Sequence, residues 1–600
     1  MSSTIDQQVD FDVESVGRAP SRASRALALL GTRYSPLELF AAAAAALLPI
    51  SISPVVFSYT FTPKLAVLLL VAAAGLPLLV RLAVVGQSAW PARAALAFLA
   101  VALISGLTSG SVLVGLFGVY AWGTGWLFWC GVIGAWAIGR SLGPAGRDLV
   151  VSSLLVGAGA NAAMTIVQQI LQIRSPYVMG RSPVLGLYQP GQADGLMGNP
   201  VFLESILVGA LAVALIRACR GSRSWVALGV LLSAGLELSG ERLAVGLLAV
   251  IALAGVVLYR SRRAVVFAVA GLGSYALAYL ATSRLEPHRL GESLTSNPRV
   301  ALSKTLARAL LHHPFLGFGP GGTIAASSHY ASLSLARRLV DPTAFADAHD
   351  IVIEVAVTTG LLGLAAFGAF VLLALRHAKG VLLAFAVAAA AVELVEPLNV
   401  GVTPLIFLAL GAAAASPVVT VPRVWKGFER AARTVLLGAA LLASATMLYG
   451  DYLLNDAWLH YRYPEAVRGA DILAVWSNPA ATTALVAANR SVVEPDTSYW
   501  IAQVHRWWAA AVARQPTDTA LYVDLAISDE TLGQVHGALS SYRHALALDR
   551  YNVDALVGLG RLDAQLGHRA EAVDLFRAAV LVEPHAVAVL KALRAIETAR

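Results

Sequence analysis

"DAHDIVIEVAVTTGLLG" (347–363) sets two aspartates and a histidine directly before an apolar run that continues to Arg376. The run is long enough to enter a bilayer, which takes about 20 apolar residues as a helix. Charged groups are costly to strip of water, so those at the mouth of such a helix tend to do chemistry or bind something. A hydrated loop end is the plainer alternative. The choice depends on which side of the membrane this mouth faces and on what gathers beside it.

The rest of the chain answers the first question. Its 600 residues are 58% hydrophobic and 13% charged, where a soluble protein carries about 25% charge. With mean hydropathy +0.69, this is the composition of a multi-pass membrane protein. The formal net charge of +8 points to arginine-rich cytoplasmic loops rather than to nucleic acid. Cys130 and Cys219 are too few and too far apart for a disulfide framework or a cysteine metal site. The first 35 residues are polar, lack the apolar core of a cleavable signal, and read as a cytoplasmic tail.

Apolar runs give spans at about 36–57, 64–80, 94–109, 113–139, 149–172, 200–216, 224–238, 243–259, 264–281, 349–375, 381–398, 402–416 and 434–449. Every short arginine-rich loop then falls on one face, as the positive-inside rule requires. The expected architecture is all-α: a membrane domain of about 12–13 helices over 36–450, with a large outer loop at 282–348. Residues 455–600 change composition and repeat. "LGQVHGALSSYRHALALD" (532–549) aligns with "LGHRAEAVDLFRAAVLVE" (566–583) at the 34-residue tetratricopeptide period. The tail is therefore expected to be an extracytoplasmic α-solenoid that docks an envelope protein, its tryptophan-rich start at 455–517 supplying capping helices.

His349 thus faces the outside, as do three other unusual stretches. "LYQPGQADGLMGNPVFLES" (187–205) ends in Asn199–Pro200, which a helix N-cap explains on its own. "SGERLAVG" (239–246) puts Glu241 and Arg242 at the tip of a turn, where an arginine also snorkels to the interface. "NPRVALSKTLARALLHHPFLGFGPGG" (297–322) reads as an amphipathic helix carrying Arg299, Lys304 and Arg308, then a glycine-rich turn. Guanidinium groups near one histidine make an anion site, because the planar fork matches phosphate oxygens. The histidine can take a proton from a hydroxyl near neutral pH.

The order "GLMGNPVFLES", "SGERLA", "HPFLGFGPGG" and "AHDIVIEVAVTTGLLG" resembles the O-antigen ligase family of polytopic membrane glycosyltransferases, over roughly 187–365. The resemblance implies a GT-C-type helical fold and a metal-independent transferase without a cofactor. Its donor would be a polyprenyl-diphosphate-linked glycan, and its acceptor a hydroxyl on a lipid, a glycan or a protein. Arg242 and Arg299 would hold the diphosphate, with Arg308 as substitute for Arg299, and His349 would be the base. Glu241, Asp347, Asp350 and Asn199 would support them. Two positions depart from the pattern: Glu241 stands where serine is usual, and Asp350 where asparagine follows the histidine.

A ligase or polymerase of envelope polysaccharide in the inner or plasma membrane is the first reading, and a protein O-oligosaccharyltransferase shares its motifs. A lipid-linked glycan transporter would place polar groups at the membrane midplane, where Asn161, Gln168, Gln169, Glu393 and Glu396 are the candidates. A scaffold with a degenerate membrane part is the third class.

Overall fold

A computed structural model describes residues 33–85, 89–171, 193–221, 224–240, 243–283, 298–338, 345–414 and 422–598. Among them the regular elements are all helices, as the apolar runs and the repeat predict. The first half contains α1 (Pro36–Ile50), α2 (Phe61–Val85), α3 (Ala89–Leu107), α4 (Val112–Phe117), α5 (Trp126–Arg140) and α6 (Pro144–Leu171). It continues with α7 (Pro200–Arg220), α8 (Ser224–Leu238), α9 (Leu243–Tyr259) and α10 (Arg262–Ser283). The long loop contributes α11 (Pro298–His312), α12 (Thr323–His329) and α13 (Leu333–Ala336). Then follow α14 (Ile351–Leu375), α15 (Val381–Glu393), α16 (Thr403–Ala413) and α17 (Arg423–His460).

Seven of these, α2, α3, α6, α7, α10, α14 and α17, are long and apolar enough to cross a membrane. The shorter apolar helices α1, α8, α9, α15 and α16 pack among them. The span at 113–139 is a correction: it is two helices, not one. The break falls at Gly118–Gly125, where Gly118, Ala121 and Gly123 take positive φ, and it frees Tyr120 to reach a carboxylate in α17. The helix expected at 381–398 stops at Glu393, because Glu396 precedes Pro397 and a residue before proline is driven out of helical geometry.

Helices α2 and α17 run antiparallel and are fixed to each other at both ends. Near the start of α2, Thr62 Oγ1 donates to Asp451 Oδ2 at 2.8 Å. Near its end, Arg81 donates to Glu429 Oε2 at 2.9 Å. At 1.5 Å per residue these two contacts lie about 28 Å apart along α2, close to the thickness of a bilayer's hydrocarbon core.

Helix α17 runs unbroken through 450–455, so the change in composition there is not a break in the helix. Leu454, Leu473 and Trp476 belong to the same hydrophobic core as the membrane helices. The tail then forms α18 (Tyr463–Ile472), α19 (Ser477–Val493), α20 (Thr497–Arg514), α21 (Thr519–Thr531) and α22 (Val535–Leu548). It ends with α23 (Val553–Gln565), α24 (Arg569–Val582) and α25 (Val587–Thr598). Pairs α21–α22 and α23–α24 are the two repeats, turned at Gly533 and Gly567 and closed by Asp549 and Glu583. Trp507 and Trp508 of α20 fill the core ahead of the first repeat. The tail rests on the membrane part's loops, with Ser111 Oγ donating to Arg514 O (3.3 Å) and Arg337 Nε to Leu581 O (2.8 Å).

Candidate active site

Helix α14 is broken by its own sequence. Gly360 has φ 67° and ψ −174° within the run, so carbonyls just before it lose their helical partners. Turn 313–322 supplies new ones: Phe318 N donates to Val357 O at 3.0 Å and Gly319 N to Thr358 O at 2.8 Å. In return Leu361 N donates to Pro314 O at 2.7 Å. The glycine-rich motif is thus a clamp that docks α11 onto α14. Leu302, Leu306 and Ala309 of α11 pack with Ala348 and Val357 in one apolar cluster.

That docking shapes the mouth of α14. Asp350 caps the helix, accepting from Val352 N (2.7 Å) and Ile353 N (3.0 Å). His349 just before it has φ 55°, the left-handed region that non-glycine residues seldom adopt. Two bonds hold it there. His349 N donates to Asp347 Oδ1 at 2.7 Å, and its Nδ1 lies 3.1 Å from Asp347 O. A backbone carbonyl only accepts, so Nδ1 carries the proton and Nε2 keeps a free lone pair. Burial pushes the imidazole's pKa down to about 4, with the nearby positive charge of Arg299 acting in the same direction. Asp347 is fully buried and its pKa is raised, first by burial and then by the neighbouring Glu354 carboxylate.

Two residues without an assigned role in the sequence organise this corner. Glu354, one turn into α14, accepts from Ala348 N (2.8 Å) and from Thr323 Oγ1 of α12 (2.9 Å). Loop 394–402, between α15 and α16, reaches the same place from the other side. Its Leu398 N donates to Asp347 Oδ2 at 3.3 Å. Its Glu396 takes both arms of Arg299, at 2.7 and 2.8 Å, while Arg299 also donates to Val395 O at 2.9 Å. The forked geometry fixes the plane of the guanidinium. Burial raises the pKa of Glu396, opposed by Arg299. A carboxylate in the first turn of an apolar helix, and two more in the run at 393–396, were the visible signals for these roles.

The structure therefore brings His349, Asp347 and Arg299 together. It does not add Arg308, which lies in a separate cleft beside the repeats. Nine residues of helix rotate a side chain by half a turn, so Arg308 faces away from the side of α11 that carries Arg299. Asn199 is the cap of α7, accepting from Val201 N at 2.9 Å. Glu241 and Arg242 lie outside the described residues, as do 187–192 of the first motif and parts of the outer loop.

The polar groups of α6 have structural uses. Asn161 accepts from Leu196 N (2.9 Å) and donates to Pro49 O (3.0 Å), and Gln168 bonds Asp194 and Gly195. Lys64 donates to Ser51 O and Leu196 O, both at 2.8 Å. These residues bind loop 193–197 to the bundle.

Comparison with known families settles how the segment is grouped. Residues 227–368 match the O-antigen ligase family model. The match begins in α8 and ends in α14, spanning α11, the glycine-rich clamp and His349. Residues 531–596 match a tetratricopeptide-repeat model. No curated protein matches the chain. A solved structure, the crystal structure of the APC/C hetero-tetramer Cut9-Hcn1, aligns over 78% of this chain and 90% of its own at 9% identity and TM-score 0.20, too low to carry an argument. The ligase-family segment supports a role in glycan transfer during envelope polysaccharide assembly, on a multi-pass membrane protein.

Proposed function

We propose that the protein moves a glycan en bloc from a polyprenyl-diphosphate carrier to an acceptor hydroxyl on the outer face of the inner or plasma membrane. One observation carries the reading. Within the ligase-family segment, the backbone pins His349 so that Nε2 is free to take a proton, and a guanidinium stands beside it. In the reaction Nε2 takes the acceptor's hydroxyl proton, and the acceptor oxygen attacks the anomeric carbon. The bond from that carbon to the diphosphate oxygen breaks, and polyprenyl diphosphate leaves with the electron pair. Arg299, and Arg242 by its place in the motif, would stabilise the leaving charge.

The low pKa of His349 suits this order of events. Before the donor binds, the imidazole is neutral and able to accept a proton. A diphosphate next to it offsets the repulsion from Arg299 and raises its proton affinity for the transfer. Of the polar groups a transporter would use, Asn161 and Gln168 support a loop and Glu396 holds Arg299, which favours transfer over transport.

The test is a transfer assay on purified protein in nanodiscs. It uses a polyprenyl-diphosphate glycan donor with lipid, glycan and peptide acceptors, in the presence and absence of EDTA. Wild type should form product with one acceptor class, EDTA should leave it unchanged, and His349→Ala and Arg299→Ala should lower it by about a hundredfold or more. The productive acceptor separates ligase, polymerase and protein-glycosylating activities. Equal rates in wild type and both variants would overturn the site assignment.

A further inference from the structure

The face of α11 opposite Arg299 carries Arg308 and, one turn on, His312. Together with His329 and Tyr330 of the following segment and Arg550 of the repeat domain, they line a cleft of about 410 Å³. That volume lies in the range of small-ligand sites. The rings are ordered: His312 stacks on Tyr330 with centroids 4.9 Å apart at 23°, and His329 meets the same ring edge-on at 4.9 Å. Arg550 lies 4.9 Å over the Tyr551 ring. No acidic residue lines this cleft among the described residues. The neighbouring Asp549 is engaged in its own turn, accepting from Tyr551 N at 2.9 Å.

Two arginines and two histidines from separate parts of the chain thus face one space, an arrangement that focuses positive potential. We propose that this cleft binds an anionic saccharide, carboxylated or phosphorylated, and that it guides the glycan chain past the repeat domain. The second part rests on the transfer reading above. Arg308 lies about 13 Å along α11 from Arg299 and on its opposite face, so a chain bound at the reaction centre reaches the cleft by following the helix while winding half a turn around it. Arginine forks pair with the acid groups, and the imidazoles supply hydrogen bonds.

Binding is tested directly, on full-length protein in nanodiscs without any lipid-linked donor. A protein that proves inactive in transfer still reports on the cleft. The probes are an oligogalacturonate, a neutral maltooligosaccharide of equal length, and glycerol phosphate as the headgroup of an anionic lipid. Wild type should bind the oligogalacturonate at least tenfold more tightly than the neutral chain, with affinity falling as salt rises. The double variant Arg308→Gln/Arg550→Gln should lose roughly tenfold or more. Arg506→Gln, which removes one exposed positive charge in the same tail but outside the cleft, should bind like wild type.

Equal affinity for the acidic and neutral chains would overturn the proposal. So would a double variant that binds like wild type, an equal loss in Arg506→Gln, or binding of glycerol phosphate alone. Matching thermal unfolding of wild type and double variant establishes that a loss of binding is local.

Discussion

The mouth of α14 and the repeat domain both carry charge, but they spend it differently. At the mouth, Asp347, Glu354 and Glu396 are almost wholly buried and their partners are backbone amides, a threonine and one arginine. In the repeats, Arg577–Glu597 is open to solvent on both sides and Arg561–Glu530 on its arginine side. Removing one partner from a buried set strands the other without water, whereas a solvated pair loses little. The same substitution therefore has different consequences in the two regions, and the contrast can be tested one residue at a time.

The largest effect belongs to Gly360. A Cβ there would meet the Phe315 carbonyl carbon and oxygen at 2.2 Å, at a φ of +67°. Gly360→Ala should force the clamp at 313–322 off α14, destabilise the protein by roughly 3 kcal/mol or more, and abolish transfer. Thermal unfolding in detergent measures the first effect and turnover the second. A variant that melts like wild type would mean that the clamp does not hold the site.

Next comes Glu354→Ala, which removes the acceptor for both Ala348 N and Thr323 Oγ1. The loss should be about 1–3 kcal/mol, with kcat falling more than KM rises, because His349 is displaced while Arg299 keeps Glu396. Glu354→Gln retains one acceptor oxygen and should recover most of the rate. Failure of that rescue, with normal unfolding, would assign the carboxylate a chemical role instead of a positioning one.

The pH profile follows. With its pKa held near 4, His349 in the free protein stays neutral as pH falls from 7 to about 5.5. An ordinary histidine would be about 90% protonated there and the rate cut about tenfold. The acid limb of kcat/KM should therefore lie near pH 4 to 5, and that of kcat, which reports the donor complex, should lie higher. A kcat/KM limb near 6.5 would place His349 in water, away from Arg299.

Much of this was legible in the sequence, and the reasons are specific. Spans 224–238 and 243–259 end where apolar runs meet charge or turn residues, and the 34-residue offset marked Gly533 and Gly567 as matching turns. His349 stood out because charge at a membrane mouth is costly, and Arg299 was singled out from Lys304 and Arg308 only by the resemblance to the ligase motifs. The pairing of Arg299 with Glu396 was not legible, since it joins residues 97 positions apart through a loop whose course depends on Asn399 accepting from Gly401 and Val402. The break at 118–125 escaped for a related reason. An apolar run with three glycines reads as one helix until Asp451, far along the chain, gives Tyr120 a reason to leave it.

The smallest effects test the other half of the comparison. Arg561→Ala, in a pair whose arginine is half exposed, should cost under about 1 kcal/mol. Gly533→Ala is the sharper case, because its φ of +72° nearly equals that of Gly360, yet an added Cβ meets nothing within 4 Å. Backbone strain alone then costs about 1 kcal/mol. The two share a positive φ, but Gly360 also has a ψ of −174°, a combination essentially only glycine adopts, so its excess cost over Gly533 combines that strain with displacing the clamp. If Gly533→Ala destabilised as much as Gly360→Ala, strain would account for both, and the packing of turn 313–322 against α14 would not be what holds the mouth in shape.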